Sequence, residues 1–123
     1  MARILIIEDD EDFRTMLKEM LTRQEYEVIE ASNGVEGLEA YKTQKIDLVV
    51  TDIFMPEKEG TETVMELQDM NPDIKVIAIS GGGTQKMFEQ LNWMKDFGAQ
   101  KVFKKPFDSK EFLAAVSNLL EYE

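Results

Sequence analysis

The sequence predicts an α/β domain in which a parallel sheet is covered by helices on both faces. Three observations predict it. Short apolar runs of strand length alternate with longer segments whose apolar residues recur at helical spacing. The alternation repeats five times along the chain, which implies a common parallel sheet with right-handed crossovers. The central run Asp47-Leu48-Val49-Val50-Thr51-Asp52-Ile53-Phe54-Met55-Pro56 is apolar and β-branched at its start, the pattern of a strand buried on both faces. Pro56 prevents it from continuing as a central strand, so Asp52 stands where a buried strand meets its loop.

Each element follows in order. Ile4-Leu5-Ile6-Ile7 is the first strand, and the acidic run Glu8-Asp9-Asp10-Glu11-Asp12 comes directly after it. Phe13, Met16, Leu17, Met20 and Leu21 then mark one face of an amphipathic helix, whose N-terminus the acids favour and can cap. Val28-Ile29 is the second strand. Val35, Leu38 and Tyr41 mark a short helix after Asn33-Gly34. The Asp52 strand is third. Gly60 to Met70 reads as a helix with Val64 and Leu67 inward, stopped by Asn71-Pro72. Ile74 to Ile79 is the fourth strand and ends at Ser80, before the loop Gly81-Gly82-Gly83. A fourth helix is expected over Thr84 to Gly98, and Lys101 to Lys104 is a short fifth strand. Lys105-Pro106-Phe107 is a turn. Asp108, with Glu111 three residues on, opens the last helix, with Phe112, Val116 and Leu119 on its core face.

Composition narrows the chemistry. The 123 residues suit one domain, 1–123, with a hydrophobic core and no room for a second. Cysteine and histidine are both absent, which removes thiol chemistry, the usual general base and the usual transition-metal ligands. The net charge of −11 argues against nucleic acid and anionic lipid as partners. No apolar run is long enough to span a bilayer and no secretory leader is legible, so a cytoplasmic location is expected.

In an open parallel sheet, ligands bind at the C-terminal ends of the strands. Glu8 and Asp9 from the first strand, Asp52 from the third, Ser80 from the fourth and Lys105 just past the fifth all belong to that edge. Taken singly, each has a plain reading as a cap, a loop hydroxyl or a surface charge. Together they place three carboxylates, a hydroxyl and an ammonium at one edge. Clustered carboxylates repel, and a hard divalent cation resolves the conflict. An all-oxygen set favours Mg²⁺ over zinc and leaves positions open for phosphate oxygens. Lys105 and Ser80 can then partner a phosphoryl group, with Asp52 as the nucleophile that forms an aspartyl phosphate.

Along its whole length the chain resembles the response-regulator receiver domain of two-component signalling. Ile4 to Asp9 looks like that family's first strand and acid pair, and Asp52 to Pro56 followed by Gly60 like its phosphoacceptor motif. Ile79-Ser80-Gly81 matches its hydroxyl position and Lys105-Pro106-Phe107 its lysine signature. The resemblance implies a flavodoxin-like, doubly wound, three-layer fold with strand order 2-1-3-4-5 and five helices. It implies phosphoryl transfer to Asp52 from a histidine kinase or His phosphotransfer protein, with self-catalysed dephosphorylation and no other enzymatic activity. It implies Mg²⁺ held by Asp9, by Glu8 through water, by Asp52 and by the Phe54 carbonyl. Lys105 would pair with the phosphoryl group, Ser80 would turn inward to it, and the Lys105–Pro106 bond would be cis. The chain departs from the family at Val102, where an aromatic residue is common, and in a slightly longer Ser80-to-Lys105 segment.

A haloacid-dehalogenase-like Mg²⁺-dependent phosphatase uses similar groups but wants a second acid two residues after the nucleophile, where Phe54 stands. A flavodoxin-type carrier wants a phosphate-binding loop where Glu8 to Asp12 would repel one. An interaction module that is never phosphorylated is the third alternative. The expected output surface for a downstream protein is the face of the fourth helix, fifth strand and last helix. Met87, Leu91 and Met94 form one stripe of that fourth helix, and Trp93 falls outside it, toward solvent.

Overall fold

The structure is a computed structural model and describes residues 2–52, 60–80, 99–105 and 107–121. Its elements are β1 (Arg3–Ile7), α1 (Glu11–Arg23), β2 (Glu27–Ala31), α2 (Gly34–Thr43), β3 (Leu48–Asp52), α3 (Gly60–Met70), β4 (Val76–Ser80), β5 (Lys101–Lys104) and α4 (Ser109–Glu121). All strand pairs are parallel and the sheet order is β2-β1-β3-β4-β5. This is the expected flavodoxin-like, doubly wound fold, with four helices among the described residues. The helix expected over 84–98, with Trp93 and the loop 81–83 before it, lies outside the described residues.

The sheet is buried on both faces, which is why its central strands carry unbroken apolar runs rather than alternating ones. Successive residues point to opposite sides and build two cores. Ile4, Ile6, Leu48, Val50, Ile77 and Ile79 pack with Leu17 and Leu21 of α1 and with Phe112 and Val116 of α4. Leu5, Ile7, Val49, Val76 and Ala78 pack with Val64 and Leu67 of α3. Each fully buried Val, Leu, Ile or Phe among these contributes on the order of 1.5–3 kcal/mol of hydrophobic stabilisation.

Short polar contacts start the helices. The Asp10 carboxylate accepts from the Asp12 and Phe13 amides at 3.0 and 3.2 Å, capping α1. The Asn33 side chain accepts from the Glu36 amide at 2.9 Å, and Glu36 in turn accepts from the Ser32 amide and hydroxyl. Asp108 accepts from the Lys110 amide at 2.9 Å at the start of α4. The end of α1 closes through Glu25 in a left-handed conformation, φ 69°, a position that glycine fills with least strain.

Three local expectations are corrected. Met16 is 40% exposed, because it lies about 100° around the helix from Leu17 and faces the rim of the core. Val35 is 58% exposed; the sheet-facing stripe of α2 is instead Gly34, Gly37, Leu38 and Tyr41. Gly37 is needed there because a Cβ would come within 2.7 Å of Ile7 Cγ1. β4 begins at Val76 rather than Ile74. The Gln100 side chain donates to the Ile74 carbonyl at 3.0 Å and accepts from the Val76 amide at 2.7 Å, standing in for a strand partner there.

Candidate functional site

The parallel register aligns the C-terminal ends of four strands. Ile7 is opposite both Ala31 and Thr51, Asp52 is opposite Ile79, and Ser80 is opposite Lys104. The residues that follow or end these strands therefore meet. Glu8 continues the ladder for one step, its amide donating to the Ala31 carbonyl at 3.0 Å, and its side chain is only 2% exposed. Asp9 is exposed beside it. Asp52 ends β3 and is 7% exposed. One carboxylate oxygen from each of Glu8, Asp9 and Asp52 falls within 4.8 Å of the others. Ser80 is buried at the end of the neighbouring strand.

Lys105 reaches this cluster from the other end of the chain. Its amide donates to the Ser80 carbonyl at 2.7 Å, which extends the β4–β5 pairing by one residue and aims the side chain across the edge. Its Nζ donates to Glu8 Oε1 at 2.8 Å and to Asp52 Oδ2 at 3.4 Å. These are charge-assisted contacts in a partly buried setting, where they are worth more than on the surface.

The electrostatics match the crowding. Burial pushes the Glu8 carboxyl from its ordinary 4.5 up to about 7, with Asp52 beside it acting in the same direction. The Lys105 hydrogen bond acts against that rise. For Lys105, burial works to lower the ammonium pKa, but the contacts with Glu8 and Asp52 together outweigh it and the net shift is upward. The cluster thus holds its negative charge at a cost. The three carboxylates, spaced within reach of one ion and offering only oxygen, fit a hard divalent cation such as Mg²⁺. Phe54, expected to lend a carbonyl to that ion, and Pro106, expected to follow a cis bond, lie outside the described residues.

Two residues join the site that sequence reading left in other roles. Phe13, assigned to the core face of α1, turns its ring toward Lys105, whose Nζ stands 3.9 Å from the ring centroid. Arg14 donates from Nη1 to the Glu8 carbonyl at 2.8 Å and from Nε to Glu30 at 3.3 Å, tying β1's end to β2. The legible signal was position: both lie in the first turn and a half of a helix that starts at the acidic edge.

Comparison with known proteins gives a consistent picture. Residues 4–117 match the family model described as the response regulator receiver domain. The chain is 37% identical over 118 residues to the chemotaxis protein CheY of Thermotoga maritima, covering 95% of this chain and 96% of that one. A solved receiver domain protein from Clostridium thermocellum superposes with a TM-score of 0.90 at 28% identity, covering 98% of this chain and 95% of that chain. The response regulator protein TrrA of Thermotoga maritima, solved in complex with Mg(2+)-BeF, superposes with a TM-score of 0.85 at 32% identity. The match covers 98% of this chain and 100% of that chain.

Proposed function

This chain belongs to the response regulator receiver domain family of two-component signalling, and from that premise we propose that Asp52 is its phosphoacceptor. Receiver domains are signalling domains, and residues 1–123 form one such domain in this reading. The observation that carries the assignment is the Lys105 ammonium bridging Glu8 and Asp52, contributed from positions 97 and 53 residues away. A partly buried ammonium held against two buried carboxylates supplies positive charge where a transferred phosphoryl group would need it.

An Asp52 carboxylate oxygen attacks the phosphorus of the donor, and the bond from phosphorus to the donor's leaving group breaks as the new P–O bond forms. Asp9, Asp52, the Phe54 carbonyl and, through water, Glu8 would hold Mg²⁺, which would offset charge on the phosphoryl oxygens. Lys105, whose ammonium stands beside Asp52, would offset the rest. Ser80, on the strand next to Asp52, donates its hydroxyl to the acquired phosphoryl group. Water later hydrolyses the acyl phosphate.

The donor in this reading is a histidine kinase or a His phosphotransfer protein in the cytoplasm. No helix among the described residues is long and apolar enough to cross a membrane. The output surface in this reading includes β5, at one edge of the sheet, and α4; the segment 84–98, expected to complete it, lies outside the described residues. Neither nucleic acid nor lipid suits a chain of net charge −11. Incubation with Mg²⁺ and acetyl phosphate, followed by intact-mass measurement, should show one added phosphoryl group on the wild type and none on Asp52→Asn. Label retained by that variant would place the acceptor elsewhere.

A further inference from the structure

Among the described residues Lys105 has three close partners, and they differ in what a bound cation does to them. Glu8 and Asp52 are anionic and stand 2.8 and 3.4 Å from Nζ. Both also belong to the carboxylate cluster that a divalent cation would occupy. A bound cation competes with the ammonium for those oxygens and repels it. The third partner is the face of Phe13, 3.9 Å from Nζ to the ring centroid. An aromatic face attracts a cation through its quadrupole, neither titrates nor ligates a metal ion, and is indifferent to that exchange.

The ring is also held firmly enough to act as a seat. Phe13 meets Phe107 edge-on at 6.0 Å between centroids and 89° between planes. Phe107 packs in turn on Phe103 at 5.5 Å and on Phe112 at 5.2 Å. Phe112 is fully buried in the core beneath α1 and α4. A chain of aromatic contacts thus fixes the orientation of the Phe13 face from below. The α1 cap at Asp10, whose carboxylate accepts from the Phe13 amide itself, fixes the backbone from above.

We propose that Phe13 is a positioning residue for Lys105: its ring face keeps the ammonium at the phosphoacceptor edge when a divalent cation claims Glu8 and Asp52. The proposal rests on the phosphoacceptor reading of Asp52, and it adds a residue that bears no charge and touches neither metal nor phosphoryl group. It also explains why a half-buried helix residue presents an aromatic face, rather than only apolar bulk, to this edge.

The test has a spectroscopic and a kinetic arm. Protons above a ring face resonate upfield, so the Lys105 ε-methylene signal, assigned by its loss in Lys105→Arg, should be upfield of the other lysines. It should stay upfield when Mg²⁺ and beryllofluoride are added. Phe13→Leu keeps bulk and removes the face, and should return the signal to the ordinary lysine position. In the kinetic arm, Phe13→Leu should slow acetyl-phosphate labelling of Asp52 about tenfold while leaving Mg²⁺ affinity within about twofold. Phe13→Tyr, which restores the face, should recover most of the rate. An ordinary ε-methylene shift in the wild type, or one lost on adding Mg²⁺ and beryllofluoride, overturns the proposal. So does a Phe13→Tyr variant as slow as Phe13→Leu, which would make the role one of packing. If no variant and not the wild type takes up label, the phosphoacceptor reading fails, while the spectroscopic arm still decides whether the ring holds the lysine.

Discussion

Replacing Glu8 by Gln should make the metal-free protein more stable at neutral and alkaline pH, although it removes an ion pair. The Glu8 carboxyl is raised from 4.5 to about 7, chiefly by burial and then by Asp52, with Lys105 opposing. A carboxyl raised on folding binds more protons in the native state than in the unfolded chain. Stability therefore falls as pH rises between 4.5 and about 7, and is level outside that window. At about 1.4 kcal/mol per tenfold change in proton affinity, the loss is about 2–3 kcal/mol between pH 5 and 7.5. Gln is close in shape and cannot ionise, so this component disappears in Glu8→Gln.

The assay is urea unfolding in EDTA at pH 5, 6, 7 and 8 for both proteins, read as wild type minus variant. Subtraction removes the contribution of every other titrating group. The difference should decline by about 2–3 kcal/mol from pH 5 to 7.5. Adding Mg²⁺ should stabilise the wild type at pH 8 far more than at pH 5, because the ion must displace a proton at the lower pH. A difference that stays flat, or rises with pH, would refute the reasoning. It would mean that the Lys105 contact outweighs burial at Glu8.

Lys105→Ala should slow labelling of Asp52 by acetyl phosphate about 100-fold while Mg²⁺ affinity, measured by calorimetry, stays equal or improves, since the lysine contacts the carboxylates as a competitor of the ion. Gly37→Ala should destabilise by about 1–2 kcal/mol in urea, because overpacking against Ile7 exceeds the roughly 1 kcal/mol gained in helix propensity. Glu25→Gly should raise stability by about 0.5–1 kcal/mol, since the residue closing α1 is held at φ 69°.

The sequence by itself determined the layer architecture, and the reason is burial. The run Ile4 to Ile7 and the β-branched run before Asp52 have the length and composition of strands covered on both sides, and helical periodicity between such runs points to a parallel sheet. It also determined which edge gathers the candidate site residues, because parallel strands all end there. Of the five candidate side chains read from the sequence, Glu8, Asp9 and Asp52 are brought into mutual reach and Lys105 contacts Glu8 and Asp52. Ser80 is placed on the adjoining strand end.

Tertiary structure decided what periodicity cannot encode. Which border residues of an apolar stripe are covered depends on the facing surface. Met16 and Val35 are therefore exposed, while Gly37, with no side chain to offer, is buried against Ile7. Where β4 begins depends on Gln100, a polar side chain distant in sequence that takes the pairing groups of Ile74 and Val76. Above all, the electrostatic state of the site belongs to the fold. Local pattern places Glu8 at the strand end but does not say that its carboxyl is desolvated. The fold buries that carboxyl at the end of β1, which lies between β2 and β3, and the β4–β5 register delivers Lys105 to it over the face of Phe13. Charge and distance across three strands are properties of packing, and a sequence read one residue at a time holds neither.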